Sequence, residues 1–573
     1  MTLSPAPALA PQASDPALRS TCRGDRYLVP TWATRSPVIA RQGMAATSHP
    51  LATQVAVDVL RAGGSAVDAA IAANAALGFL EPTGAGLGGD LFALLWSAAD
   101  QRLHGLNASG RSPAGLTLEQ LQQELRGAEE IPLPGPLSVT VPGAVDGWWE
   151  LHARFGRLPW AELLAPAIRY AREGAPVPSY IAALWARGAA LADQPGFAET
   201  FFRSGQAPRT GEIFRNPALA ETLQQLAEGG RDTFYRGEIA RELDAFCRRA
   251  GCHLRYEDLA AHRSEWVEPI GVDFHRHRVW QLPPNGQGLA VLQMLRLLEP
   301  FDLRSLGHNS AAYLHHLIEA KKIVYEDRAR FYADPAFAAV PVPELLSDAY
   351  TAERRRLLDP QRASTAIATG DPRAGRGDTI YVAVGDGEGN LVSLIQSNYA
   401  GFGSGLVPER LGFGLQNRGA GFSLEPGHPN AYAPGKRPFH TIIPGFVTRE
   451  GRPYLAFGVM GGEMQPQGQL QVLLNHLLFG MNVQAAGDAA RWRHLGSTEP
   501  SGGGSHRMQD GGCVALESGI GAEAREGLQA LGHRFCEEPG LHFGGYQAVL
   551  WDEENGVYWG ASESRVDGQA GGW

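Results

Sequence analysis

Four groups of residues in this sequence have types and spacings from which chemistry could be built. Gly84, Gly86 and Gly89 satisfy G-x-G-x-x-G, a dinucleotide fingerprint that must follow a strand and open a helix. Here the preceding run reads as a helix and the following one as a strand, so the glycines read instead as a turn that packs tightly. His315, His316 and Glu319 resemble a helical metal-binding pair, but no Cys or His cluster in the sequence completes a ligand set, and packing is the favoured role. The segment GFGSG at 401–405 places its glycines at the wrong offsets for the G-x-S-x-G nucleophile elbow. Thr379 opens an apolar segment, where a threonine taken alone is a β-former. Its hydroxyl becomes an effective nucleophile only beside a base. One solution makes the threonine the first residue of a chain, so that its own α-amine, with a pKa of about 8, is that base. For Thr379 this requires the Asp378–Thr379 bond to break through attack by the same hydroxyl.

The elements around these residues follow from apolar period and punctuation. Leu51, Val55, Val59 and Leu60 recur at helical spacing until Gly63-Gly64, and Ser65 is an N-cap for the alanine-rich run AVDAAIAANAALGFL, whose small residues predict a fully buried helix. After GAGLGGD, the run LFALLW predicts a buried strand. Residues 116–260 alternate amphipathic helices with Pro/Gly breaks, and 309–332 predicts a long helix. TIYVAVGD and LVSLIQSN flank GEGN, a hairpin signal, and FHTIIPGFV and PYLAFGVM read as further strands. LQVLLNHLLFG predicts a helix, followed by a Gly/Ser-rich loop near 501–505 and a final helix and strand pair. The composition breaks near residue 375, from helix-rich to strand-rich, in an α/β layered arrangement.

The chain has 573 residues, three to four times a typical domain, with 44% hydrophobic and 19% charged residues. That composition excludes a disordered or fibrous protein, and 71 glycines without a Gly-X-Y period indicate tight turns. A net charge of −10 supplies no basic field for nucleic acid or anionic lipid. No run of about 18 apolar residues predicts a membrane span. The Pro/Ala/Ser-rich start lacks a charged n-region with an apolar core, so residues 1–40 are expected as a disordered or extended lead-in without a secretion signal. Five scattered cysteines form no disulfide framework, and a reducing cytoplasm is the expected location.

The segments GMAATSHPLATQVAVDVLRAGGSAVDAAIAANAALGFLEPTGAGLGGD, GDTIYVAVGDGEGN, PGKRPFHTIIPGF and GVMGG together resemble the γ-glutamyltranspeptidase family over roughly 40–570. These are N-terminal-nucleophile hydrolases that mature by self-cleavage before a threonine. The resemblance implies a four-layer αββα sandwich, a large subunit over 41–378 and a small subunit over 379–573. The two stay associated in one core, with a possible dimer of that unit. It implies no cofactor and no metal. Thr379 matches the nucleophile, Ser397 the hydroxyl that supports it, and Gly461 and Gly462 the oxyanion donors. Arg111 matches the arginine that forks a substrate carboxylate. Where the family holds the ammonium of a γ-glutamyl group, this chain has Tyr399, Arg418 and Gly421, none of which offers a carboxylate. The family's serine pair becomes His440 and Thr441, and the stretch from Phe422 to Lys436 is too short for the family's lid. The expected activity is hydrolysis of γ-glutamyl compounds such as glutathione, favoured over transpeptidation. The alternatives are an acylase or amidohydrolase acting on a carboxylate-bearing amide without the α-amino group, such as a glutaryl amide or oxamate, and a non-catalytic binding protein on the same scaffold.

Overall fold

In the computed structural model, which describes residues 34–367, 378–500, 508–536 and 542–573, the helix expected after Ser65 runs Ala66–Leu80 with every residue buried. Ser65 Oγ accepts from the Asp68 N–H while the Asp68 carboxylate accepts from the Ser65 N–H, a reciprocal cap that fixes where the helix starts. Its alanines let it lie close against two central strands, Asp378–Gly385 and Leu391–Tyr399. Those strands form the expected hairpin. The Asp386 carboxylate accepts from the N–H groups of Glu388 and Asn390 across the turn, and also from the Ala66 N–H, tying the hairpin to the helix.

Two seven-stranded antiparallel sheets stack face to face. The first runs in the order Gln569–Gly572, Met44–Thr47, Asp378–Gly385, Leu391–Tyr399, Asp90–Ser97, Arg102–Ala108, Glu265–Val267. The second runs Val38–Ala40, Val557–Ser562, Tyr546–Asp552, Arg452–Val459, Gly445–Arg449, His277–Gln281, Ile270–Phe274. Both draw strands from either side of the 378–379 bond. Three apolar seams hold the layers. Ile380, Val382 and Val384 point into the helical layer containing Ala66–Leu80, whereas Tyr381 and Ala383 point between the sheets against Phe446, Ala456 and Val549. This period-two split explains why the segment is apolar at every position. The outer face of the second sheet packs on the helices Leu289–Leu298, Ala311–Phe331 and Met464–Leu477. The result is the layered αββα sandwich.

Some expectations need correction. In FHTIIPGFV only the last three residues are strand, the start of Gly445–Arg449, because the backbone at His440 pairs instead with the distant 285–287 loop: its N–H donates to Asn285 O and its carbonyl accepts from Gln287 N. The helix expected from Leu470 starts at Met464. Cys513 and Cys536 form a disulfide with Cα atoms 5.1 Å apart, brought together because the strand Cys513–Leu516 bonds to the returning chain at 534–536. Cys247 and Cys252 are free and buried, and the cysteines therefore lend no support to a reducing compartment. Cys22, most of the lead-in and the Gly/Ser-rich loop near 501–505 lie outside the described residues; within 34–40, Val38–Ala40 is an edge strand. Among the described residues, no helix is long and apolar enough to cross a membrane.

Candidate active site

Thr379 and Ser397 sit on neighbouring strands of the central hairpin, and register brings their hydroxyls together at 3.4 Å. A bulge between Asp378 and Ile380 re-aims the strand at this point. The Tyr399 N–H donates to Ser397 Oγ at 2.8 Å, and Gln465 Nε2 lies 3.4 Å from Thr379 Oγ. Gln465 was not among the candidates read from the sequence. Its signal is position, since it follows the Gly461-Gly462 pair in the first turn of Met464–Leu477.

The glycine-rich turn at 84–89 packs on this pair rather than on a nucleotide. A Cβ at Gly84 would stand 3.2 Å from Thr379 N, and one at Gly89 2.7 Å from Ser397 O. Gly461 and Gly462 have φ of +114° and +58°, conformations that favour glycine. Among the described residues, no carbonyl accepts from either of their N–H groups. The Gly462 carbonyl is held by Gln287 Nε2, which also donates to Thr441 O, and Gln287 Oε1 accepts in turn from Arg328.

A second cluster is buried behind Tyr399. The Arg418 guanidinium lies 4.1 Å from the centre of the Tyr399 ring and donates through Nη1 to Thr441 Oγ. Its Nε and Nη2 are buried without an acceptor, and it forms no ion pair among the described residues. Burial pushes its pKa down to about 10, despite the opposing effects of Tyr399 and Asp90. Burial raises Tyr399 to about 12 although Arg418 opposes it. His440 donates through Nε2 to the Asp90 carboxylate at 3.0 Å while its Nδ1 accepts from the Ile442 N–H; burial, then the nearby Arg418, lowers it to about 4 against the pull of Asp90, so the ring is neutral near pH 7. Asp90 opens the strand that pairs with Ser397, and the Gly-Gly-Asp end of the glycine turn is the sequence signal for it. At Gly421 a Cβ would stand 2.9 Å from Phe439 O, leaving no room for an acidic side chain without a shift.

Arg111 is not brought to this group. It bonds Glu265 at 2.8 Å, Asp334 at 3.4 Å and the Gly435 carbonyl at 3.1 Å. Residues 423–435 do not close over Thr379 either; Leu424 and Tyr432 pack down on Leu121 and Leu125. A cavity of about 180 Å³ reaches Thr379 and Gly461, walled by Tyr180, Arg187, Phe402, Met460, Arg493 and His542 among others. None of Arg111, Tyr399, Arg418, His440 or Thr441 lines it.

The histidines of the long helix find a partner that the sequence did not reveal. His315 Nδ1 lies 2.8 Å from His533 Nε2, and the ligand atoms of His315, Glu319 and His533 fall within 4.8 Å of one another. His315 and Glu319 are otherwise committed. His315 Nε2 faces the Asp359 carbonyl, and Glu319 accepts from Lys322 Nζ and the Ser364 N–H. His316 bonds back to Ala312 O. The cluster staples residues 359–364 to the small C-terminal part of the chain.

The gamma-glutamyltranspeptidase family model matches residues 52–573. A glutathione hydrolase-like YwrD proenzyme of Bacillus subtilis is 38% identical over 457 residues, covering 79% of this chain and 85% of that protein. An oxamate amidohydrolase proenzyme of Klebsiella pneumoniae is 36% identical over 552 residues, 93% of this chain and 99% of that one. Among solved structures, a cephalosporin acylase from Bacillus halodurans superposes with a TM-score of 0.86 at 44% identity, covering 95% of this chain and 98% of its own.

Proposed function

The chain belongs to the γ-glutamyltranspeptidase family, and from that premise we propose that it is a self-cleaving threonine amidohydrolase whose acyl donor carries a carboxylate and no α-amino group. Maturation begins when Thr379 Oγ attacks the Asp378 carbonyl carbon. The C–N bond breaks as the ester forms, the nitrogen becomes the α-amine of Thr379, and water hydrolyses the ester. In the mature enzyme the α-amine takes the Oγ proton as Oγ attacks the substrate amide. Ser397 and Gln465 orient Oγ, and the N–H groups of Gly461 and Gly462 receive the oxyanion. The proton passes from the α-ammonium to the departing amine. Water then repeats the cycle on the acyl ester and releases the acid.

The observation that carries the acyl specificity is Arg418. A buried guanidinium with Nε and Nη2 unsatisfied is a costly arrangement in the free protein; because Arg418 does not line the cavity that reaches Thr379, the substrate carboxylate must displace the Tyr399 ring to reach it, and accepting from both nitrogens then removes that cost. Tyr399, whose ring Arg418 already occupies, and the side-chain-free Gly421 offer no carboxylate to an ammonium, which the Arg418 charge would repel. Thr441 and neutral His440 complete the polar surround. The oxamate amidohydrolase relative, whose named substrate is a carboxylate-bearing amide without an α-amino group, favours the same class of acyl group. Because the stretch 423–435 packs away from Thr379, water reaches the acyl-enzyme and hydrolysis prevails over transfer.

The glutathione hydrolase-like relative favours a second reading, in which the donor is a γ-glutamyl compound. Release of aniline from glutaryl and γ-glutamyl anilides separates the two: the proposed enzyme turns over the glutaryl compound faster, and equal or faster turnover of the γ-glutamyl compound rejects the Arg418 argument.

A further inference from the structure

A buried amide joins the glycine pair beside Thr379 to the cluster around Arg418. Gln287, fully buried, lies just before the helix Leu289–Leu298. Its Nε2 donates to the carbonyls of Gly462 at 2.9 Å and Thr441 at 2.7 Å, and its backbone N–H to the His440 carbonyl at 3.0 Å. Its Oε1 accepts from Arg328 Nη1 at 2.7 Å, and because a guanidinium only donates, this bond fixes which end of the amide faces the two carbonyls. Arg328 is held in turn. Its Nη2 bonds Glu499 and the Thr498 carbonyl, and its guanidinium lies 3.8 Å from the centre of the Tyr325 ring. The Tyr325 hydroxyl donates to the Glu463 carbonyl at 2.6 Å. The long helix Ala311–Phe331 thus grips two successive carbonyls, that of Gly462 through Gln287 and that of Glu463 directly.

A glycine pair needs such a hold. Gly461 and Gly462, at positive φ, carry no side chains that packing could lock, so their peptide planes turn at low steric cost. The bonds from the N–H groups of Met464 and Gln465 to the carbonyls of Gly461 and Gly462 belong to the turn itself and move with it. Gln287 reaches the turn from outside, on a loop clamped to His440. We propose that Gln287 is a positioning residue for acyl transfer. It fixes the Gly462 peptide so that the oxyanion N–H groups aim at the attacked carbonyl, and it sets their distance from Thr441, the partner of Arg418. Arg328 serves by presenting the amide the right way round. The inference rests on the proposed reading of Gly461 and Gly462 as oxyanion donors. Gln287 does not line the cavity that reaches Thr379. Its contribution therefore falls on the transition state, where charge develops at the oxyanion, and not on substrate held before attack.

The test uses processed Gln287→Met, which keeps the length and loses the amide, and processed Gln287→Glu, which keeps an acceptor for Arg328 and loses the donors. With whichever anilide the wild type turns over faster, kcat should fall about tenfold to a hundredfold while KM stays within about twofold. Two inhibitors separate aim from general damage. In 4-boronobutanoate the boron binds Thr379 Oγ as a tetrahedral adduct with an oxygen in the oxyanion site, whereas glutarate is the planar product acid. Affinity for the boronate should fall by the same factor as kcat, and affinity for glutarate should hold within about twofold. If the γ-glutamyl anilide is the faster substrate, the acyl reading alone fails, and 2-amino-4-boronobutanoate and glutamate replace these inhibitors. A wild-type chain that neither cuts itself nor releases aniline rejects the underlying reading, and the inference with it, on wild-type data alone. Unchanged kcat in both variants, or equal losses of affinity for boronate and product acid, would overturn the inference. So would failure of both variants to fold and cut, which makes Gln287 a structural residue.

Discussion

Replacing Arg418 with methionine tests the proposed acyl site from two directions at once. Folding lowers the Arg418 pKa from 12.5 to about 10, chiefly through burial. At pH 7 the group is charged in both the folded and unfolded states, so the penalty on the buried charge is present throughout the range below about pH 10. At 1.36 kcal/mol per pH unit, that penalty is about 3 kcal/mol. Against it stand the charge-assisted bond to Thr441 Oγ, worth about 1.5–3 kcal/mol, and the desolvated contact with the Tyr399 ring, worth about 2 kcal/mol. The terms nearly cancel, so Arg418→Met is expected to leave the free protein's urea midpoint close to the wild-type value. The same change removes two charge-assisted hydrogen bonds to substrate, each worth about 1.5–3 kcal/mol. For a glutaryl anilide kcat/KM should fall by about 10²–10⁴, while a butyryl anilide, which ends in a methyl group, loses far less. Arg418→Lys keeps the charge but not the planar fork and should lie between. The reasoning is refuted if the two anilides lose activity equally, or if Arg418→Met destabilises the protein without discriminating between them.

Two further outcomes are expected. Burial lowers His49, His262 and His440 to about 4, so each is neutral in the fold and takes up a proton on unfolding between about pH 4 and 6.5. The unfolded state binds more protons there, so stability is lost as pH falls, by about 2–3 kcal/mol for each histidine at pH 4.5; a urea midpoint that does not move between pH 7 and 4.5 would contradict this. Gly84→Ala places a Cβ 3.2 Å from Thr379 N and 3.3 Å from Thr379 C. Displacing the nucleophile by a few tenths of an ångström should slow self-cleavage about tenfold, seen as persistent full-length chain on a denaturing gel; cleavage at the wild-type rate would count against the turn's role.

What could be read from the sequence was local. The Ser65 cap, the alanine run and the GEGN turn each sit within a few residues of what they determine, and the central hairpin then fixes the meeting of Thr379 and Ser397 by register alone. The fold class came from the resemblance of whole segments, since the apolar period cannot state which sheet a strand joins. The remaining features depend on contacts between residues hundreds of positions apart. His533 reaches His315, Arg187 reaches His542, and Gln287 links Gly462 to Thr441 without any spacing that announces it. The strand expected through FHTII failed for the same reason: its backbone partners lie at Asn285 and Gln287. The unpaired state of Arg418 is likewise a property of its surroundings, legible only once they are assembled.

The strand Asp378–Gly385 occupies the interior of the first sheet, between Met44–Thr47 and Leu391–Tyr399, while Val38–Ala40 from the other side of the 378–379 bond edges the second sheet. With that bond cut, as proposed, neither piece possesses a complete sheet. Folding, a one-chain event for the precursor, becomes a second-order reaction between two fragments, and the denatured state gains the translational freedom of a second molecule. The mature enzyme therefore retains a structure that it reached before cleavage: diluting it after denaturation lowers the yield of refolding, whereas the uncut Thr379→Ala chain refolds at a rate independent of its concentration. Its durability is governed by the barrier to unfolding, and the order of events, fold first and cut second, is built into the strand order.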